Sequence, residues 1–165
     1  MYPLTPAQMR AAKALLKAIP AGSAFALQAE HSVDCTTILR YAHAQVGGAF
    51  ICLKQFVDRP KHRQQGGLNE TVIDALDRAL ESRIIFVDNF HLLDEPTGAY
   101  KCSRSEFLGA LIATVLDEAI QRGHKLILGT RPCVHSLNLD ARVARFVLAD
   151  FEIEPSERFD VCLAC

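Results

Sequence analysis

Three short polar stretches of this chain hold residue types that could act on a phosphate or a metal ion. The first is the run Ala29, Glu30, His31, Ser32, Val33, Asp34, Cys35, Thr36 and Thr37. It lies between an apolar stretch, Phe25 to Leu27, and a helix-like one, Ile38 to Val46. Strand, loop and helix in that order form the setting of a phosphate-binding loop, and the pattern GxxxxGK[ST] laid over it starts at Ala29. Ala29 then stands at the first glycine, Asp34 at the second and Cys35 at the lysine. Only Thr36, at the magnesium-side hydroxyl, agrees. The second stretch is Asp88-Asn89, which closes the apolar run RIIFVD, and the third is Thr130-Arg131, which closes KLILG.

Other chemistry-bearing residues have plainer readings. Cys35 at a helix start has the setting that lowers a thiol pKa, but Asp34 opposes it and no base is near in sequence. His31 reads as a surface loop residue. His91 and the Asp117-Glu118 pair carry no motif, and the pair reads as the solvated face of a helix. Cys162 and Cys165 form a CxxC, which signals zinc or redox chemistry only beside a partner motif, and none is present. A thiol or metal protein built on these cysteines remains a minor alternative.

The elements that must position these groups follow from apolar patterning. Thr5 to Ala18 reads as a helix with Thr5 as N-cap and Pro6 in the first turn. Strands are expected at Ser23–Gln28, Ala49–Leu53, Arg83–Asp88 and Lys125–Gly129, with a weaker fifth at Phe151–Glu154. Helices are expected from about Cys35 to Gln45, from Asn69 through Leu80, over Ser105–Arg122, and as a short piece at Leu139–Phe146. Strands of four to six residues alternating with longer helices imply βαβ units. The expected class is therefore α/β: a doubly wound, mainly parallel five-stranded sheet with helices on both faces. Functional groups of such a sheet lie at the carboxyl ends of its strands, which here hold all three polar stretches.

Composition narrows the function classes. The chain has 165 residues, half of them hydrophobic, which suits one domain burying roughly 70% of its unfolded surface. Net charge is −1, and the basic cluster RPKHR at Arg59–Arg63 is short and interrupted by proline, so no specific nucleic-acid partner is evident. No run approaches the ~18 apolar residues of a membrane span, and no signal peptide opens the chain. A cytoplasmic protein without a membrane partner is the expectation.

Taken in order, these stretches resemble the large α/β subdomain of an AAA family ATPase, a P-loop NTPase, with degenerate nucleotide motifs. RIIFVDNFHLL resembles that family's second nucleotide motif, an apolar strand followed by Asp-Glu. KLILGTRP resembles its sensor strand, FICLKQF its second strand, and SLNLDARVARF with FEIE the segment that follows the sensor. The resemblance spans nearly all of residues 1–165 and implies ATP or ADP with Mg2+ as ligand, none of it required for folding. It places Ala29 to Thr37 at the nucleotide, Thr36 and Asp88 at magnesium, and Asp88, Asn89 and Thr130 at the catalytic positions.

The departures bear on activity. Asn89 stands where the family carries a glutamate, and an amide orients water without accepting its proton. Losing the lysine removes an attraction of about 4 kcal/mol near a protein surface. Arg142 and Arg145 fall inside the expected short helix, with Phe146-Val147-Leu148 where an arginine reaching a neighbouring subunit would follow, so that arginine is expected to be absent. The helical lid is also expected to be missing, which is compatible with a piece of a longer protein. The resemblance thus implies a structural or regulatory module, weak or inactive in ATP hydrolysis, whose partners are other AAA domains or subunits. The alternative is a nucleotide-binding, ATP-hydrolysing AAA ATPase with a variant loop.

Overall fold

The computed structural model describes residues 4–57, 74–75, 77–93, 114, 117–131 and 143–151. Helix α1 (Pro6–Ala18) precedes strand β1 (Ala24–Gln28), helix α2 (Ser32–Val46), strand β2 (Ala49–Cys52) and a single turn, α3 (Lys54–Val57). Strand β3 (Ile84–Asp88) leads into a 3-10 turn, Phe90–Leu93. Strands β4 (Lys125–Thr130) and β5 (Val143–Val147) follow, and a second 3-10 turn, Leu148–Phe151, closes the described chain.

The five strands form one sheet in the order β2-β3-β4-β1-β5, and all four pairings are parallel. Alternation along the strands divides the core between two faces. Phe25, Leu27, Phe86 and Ile127 face α1 and α2, where they pack with Ala11, Leu15, Ile38 and Leu39. Ala24, Ala26, Ile85, Val87, Leu126 and Leu128 face the other way, against Ala79, Leu80, Ala119 and Ile120 from the helical residues 77–79 and 117–121 and their margins. A sheet buried on both faces explains why IIFV and LIL read as continuous apolar runs instead of alternating ones.

Local chemistry fixes the helix that flanks the site. Thr5 and Gln8 form a reciprocal capping box: the Gln8 main-chain N–H donates to Thr5 Oγ1 at 3.2 Å, and the Thr5 N–H donates to Gln8 Oε1 at 2.9 Å. Beyond the C-terminal end of the next helix, α2, Gly48 has φ +105, and a Cβ there would lie 2.3 Å from the carbonyl oxygen of Ile84. Only glycine allows β2 to start so close to β3.

Two expectations fail over the last described residues. The fifth strand among the described residues is Val143–Val147, which replaces the helix expected at Leu139–Phe146 over its described part, and of the strand expected at Phe151–Glu154 only Phe151 is described. Val143, Phe146 and Val147 sit at i, i+3 and i+4, a helical spacing, whereas the strand puts Val143 and Phe146 on opposite faces of the sheet. Pairing with β1 decides the matter, and β-branched and aromatic residues suit it. Phe151 instead lies in the 3-10 turn, where its carbonyl accepts from the Arg10 guanidinium at 2.6 and 3.0 Å. Residues 152–154 lie outside the described residues, as do Arg142 and the CxxC.

Candidate functional site

Strand order brings the three polar stretches together. β4 lies between β1 and β3, so the loop after Gln28, the Asp88-Asn89 turn and Thr130-Arg131 share one carboxyl edge. Gly129 lets α2 come down onto that edge. A Cβ at Gly129 would meet Leu39 Cδ1 at 2.6 Å, Asp88 Oδ1 at 3.3 Å and Cys35 Cβ at 3.5 Å.

The loop between β1 and α2 is shorter than the motif overlay implies. Helix α2 begins at Ser32, not near Cys35, so only Ala29, Glu30 and His31 separate strand from helix. Ser32, Val33 and Asp34, placed in a phosphate loop by the overlay, form the first helical turn. The physical reason is composition: with no glycine to take unusual backbone angles, the chain enters the helix as soon as it can. Asp34 favours that entry, because a carboxylate in the first turn meets the positive end of the helix dipole. Gln8 holds it there, donating from Nε2 to Asp34 Oδ1 at 2.8 Å.

The remaining loop residues divide between core and solvent. Ala29 is buried, and its N–H donates to the Thr130 carbonyl at 3.2 Å. Glu30, His31 and Val33 are exposed. Thr37 returns its hydroxyl to the Val33 carbonyl at 2.7 Å, within its own helix. Cys35, at the lysine position, is buried, with Sγ 3.5 Å from the Leu27 carbonyl and 3.4 Å from that of Thr130. Burial first, and the charge of Asp88 second, push the Cys35 thiol up to about 12. It is a protonated packing group and not a nucleophile.

The acid at the end of β3 is fully buried. Asp88 Oδ2 accepts from Thr36 Oγ1 at 2.8 Å and from Asn89 Nδ2 at 2.9 Å, while Oδ1 accepts from the Asn89 N–H at 2.8 Å. Burial pushes the Asp88 carboxyl up, and the Thr36 and Asn89 donors and the more distant charge of Arg40 pull it back. Asn89 has φ +59, and its amide is folded inward onto Asp88 and Cys52 Sγ (3.5 Å). The Thr130 side chain is buried, with Oγ1 donating to the Arg131 carbonyl at 3.4 Å.

ATP and magnesium fit these residues poorly. A three-residue loop without glycine offers no ring of inward N–H groups, Cys35 supplies no cation, and Glu30 and Asp34 repel a polyanion. The helix N-terminus attracts an anion by only about 0.3–1 kcal/mol, against about 4 kcal/mol for the missing cation. Among the described residues no group of three or more His, Cys, Asp or Glu side chains could hold a metal ion.

Arg145 lies on exposed edge strand β5 and not in a helix, and Phe146-Val147 ends that strand. The ground for expecting no arginine reaching a neighbour therefore falls away. His91 is buried in the 3-10 turn. Nothing in the sequence singles out Gln8 or Gly129 as part of the site. The capping pattern at Thr5 marks Gln8 as structured, but nothing in the sequence ties it to Asp34, 26 positions away. Among the described residues, no helix is long and apolar enough to cross a membrane.

No family model and no curated protein matches the sequence. Solved structures do match its fold. One is the replication initiator DnaA bound to AMPPCP and single-stranded DNA, with a TM-score of 0.51 and 14% sequence identity. The match covers 93% of this chain and 54% of that one, so this chain spans about half the length of the protein it resembles. At such identity the likeness concerns the fold alone. The chain shares with that structure an α/β architecture, here an all-parallel five-stranded sheet with three residues between β1 and α2.

Proposed function

We propose that this chain is an AAA-like module that has given up the triphosphate grip and serves a structural or regulatory role beside other AAA domains or subunits. The observation that carries this reading is the start of α2 at Ser32, which leaves the lysine position buried as Cys35. Fold and chemistry part company here: the apolar framework is intact, while the groups that would hold phosphate are neutral, acidic or turned inward. Hydrolysis is weak or lost in this reading, since Asn89 carries no carboxylate to take a proton from water and Asp88 is engaged by Thr36 and Asn89. Isothermal titration with ATP and magnesium tests it. No heat of binding at micromolar ligand is the expected result, and micromolar affinity with measurable phosphate release would contradict it.

The second reading is a nucleotide-binding ATPase with a variant loop. One observation favours it: the Thr36–Asp88 pair is retained at 2.8 Å, where the family's magnesium-side residues stand. Under that reading Asp88→Asn abolishes phosphate release by a well-folded protein. Under the first there is no release to abolish.

A further inference from the structure

We propose that Asn89 is an internal substitute for a cation on Asp88, so that the pair Asp88–Thr36 is a permanent latch between β3 and α2 that needs no metal. This rests on the reading of the edge as closed to triphosphate, but on a different observation. A single residue clamps the carboxylate at two points. The Asn89 main-chain N–H reaches Oδ1 at 2.8 Å, and its Nδ2 reaches Oδ2 at 2.9 Å. The left-handed backbone at Asn89, φ +59, turns the side chain back over the acid that precedes it. Asparagine is one of the few residues that take this conformation readily, and it is also one that carries an amide donor.

The rest of the surroundings complete the clamp. Cys52 Sγ, on the neighbouring strand, lies 3.5 Å from the same Nδ2 and steadies the amide. Thr36 supplies a third donor from α2 at 2.8 Å, and the acid has no exposed surface. A carboxylate has about four acceptor positions, and three here are filled by fixed protein donors. A divalent ion reaching Asp88 would have to displace the Asn89 amide and strip its own water shell inside the core. The consequence is that α2 is tied to the sheet in one position irrespective of ligand, which is what a fixed partner surface requires.

Thermal melting with no nucleotide in any arm tests this. For the unaltered protein, melting in excess Mg2+ and in EDTA should coincide. Asn89→Gly keeps the main-chain donor and the left-handed backbone and removes only the amide. It should melt lower in EDTA, by about 3–6 °C, and recover part of that loss on adding Mg2+ or Mn2+. Stabilisation of the unaltered protein by Mg2+ alone would overturn the proposal, as would an Asn89→Gly variant that melts with the parent. A lowered melting point with no metal recovery would also overturn it, leaving Asn89 a packing residue. Should the variant not fold, Mn2+ titration of the 15N-labelled parent decides. The Asn89 side-chain amide signals should stay sharp, and selective broadening of them would sink the idea. Because ATP is absent throughout, failure here would leave the loop reading standing, and calorimetric ATP binding would not shift these melts.

Discussion

The β1–α2 junction and the turn after β3 sit at the same carboxyl edge, yet each is closed in its own way. The junction is closed by backbone: α2 starts three residues after β1, and its first turn holds its own anion, Asp34, under the Gln8 amide. The β3 turn is closed by side chains, with a buried acid held by three donors of Thr36 and Asn89. The difference teaches that one carboxyl edge can be closed through chain geometry at one point and through internal satisfaction of a side chain at another, on the same sheet. A change in backbone length is not undone by one substitution. A satisfied acid is.

Substitutions that break this comparison rank by how much buried structure they disturb. Gly129→Val strikes both regions, because its side chain would enter the space of Leu39 and Asp88. It should cost about 3 kcal/mol by overpacking, read as a lower urea midpoint with the slope unchanged. Asp88→Ala strikes the β3 turn alone and strands three donors, the two of Asn89 buried and that of Thr36 part-buried, with an expected loss of about 2–3 kcal/mol in the same assay. Gln8→Ala strikes the junction alone, where the capping box and the Asp34 bond go together, and about 1 kcal/mol is expected. Equal losses from Asp88→Ala and Gln8→Ala would erase the distinction between the two closures.

The thiols sharpen the same comparison without changing stability. With its pKa pushed up to about 12, Cys35 stays protonated as pH rises through the neutral and mildly alkaline range. Alkylation followed by mass spectrometry should therefore label the half-buried Cys52 before Cys35, and Cys35 only on unfolding. Early labelling of Cys35 would mean that the junction opens.

Much of the sheet was legible before any coordinates. RIIFVD and KLILG are continuous apolar runs bounded by polar residues, and β3 and β4 fall within a residue of where those runs place them. Parallel order follows from helices between strands, and with it the gathering of Asp88, Thr130 and the loop on one edge. The rest was hidden for identifiable reasons. VARFV is short and half-exposed, its apolar spacing is helical, and only pairing with β1 makes it a strand. The early start of α2 was masked by fitting Ser32 to Asp34 to a loop pattern, although Asp34 in a first turn was itself a helix signal. The inward fold of Asn89 depends on one backbone angle, and the Gln8–Asp34 bond joins helices far apart in sequence. Neither leaves a local trace.

Titration of ATP and magnesium into the 15N-labelled protein, following the main-chain amides from Ala29 to Thr37, tests the central claim most directly. The account predicts that these signals stay in place at micromolar nucleotide, because no N–H of that segment closes on a phosphate. Saturable shifts of the Ser32 to Cys35 amides with a micromolar midpoint would contradict it.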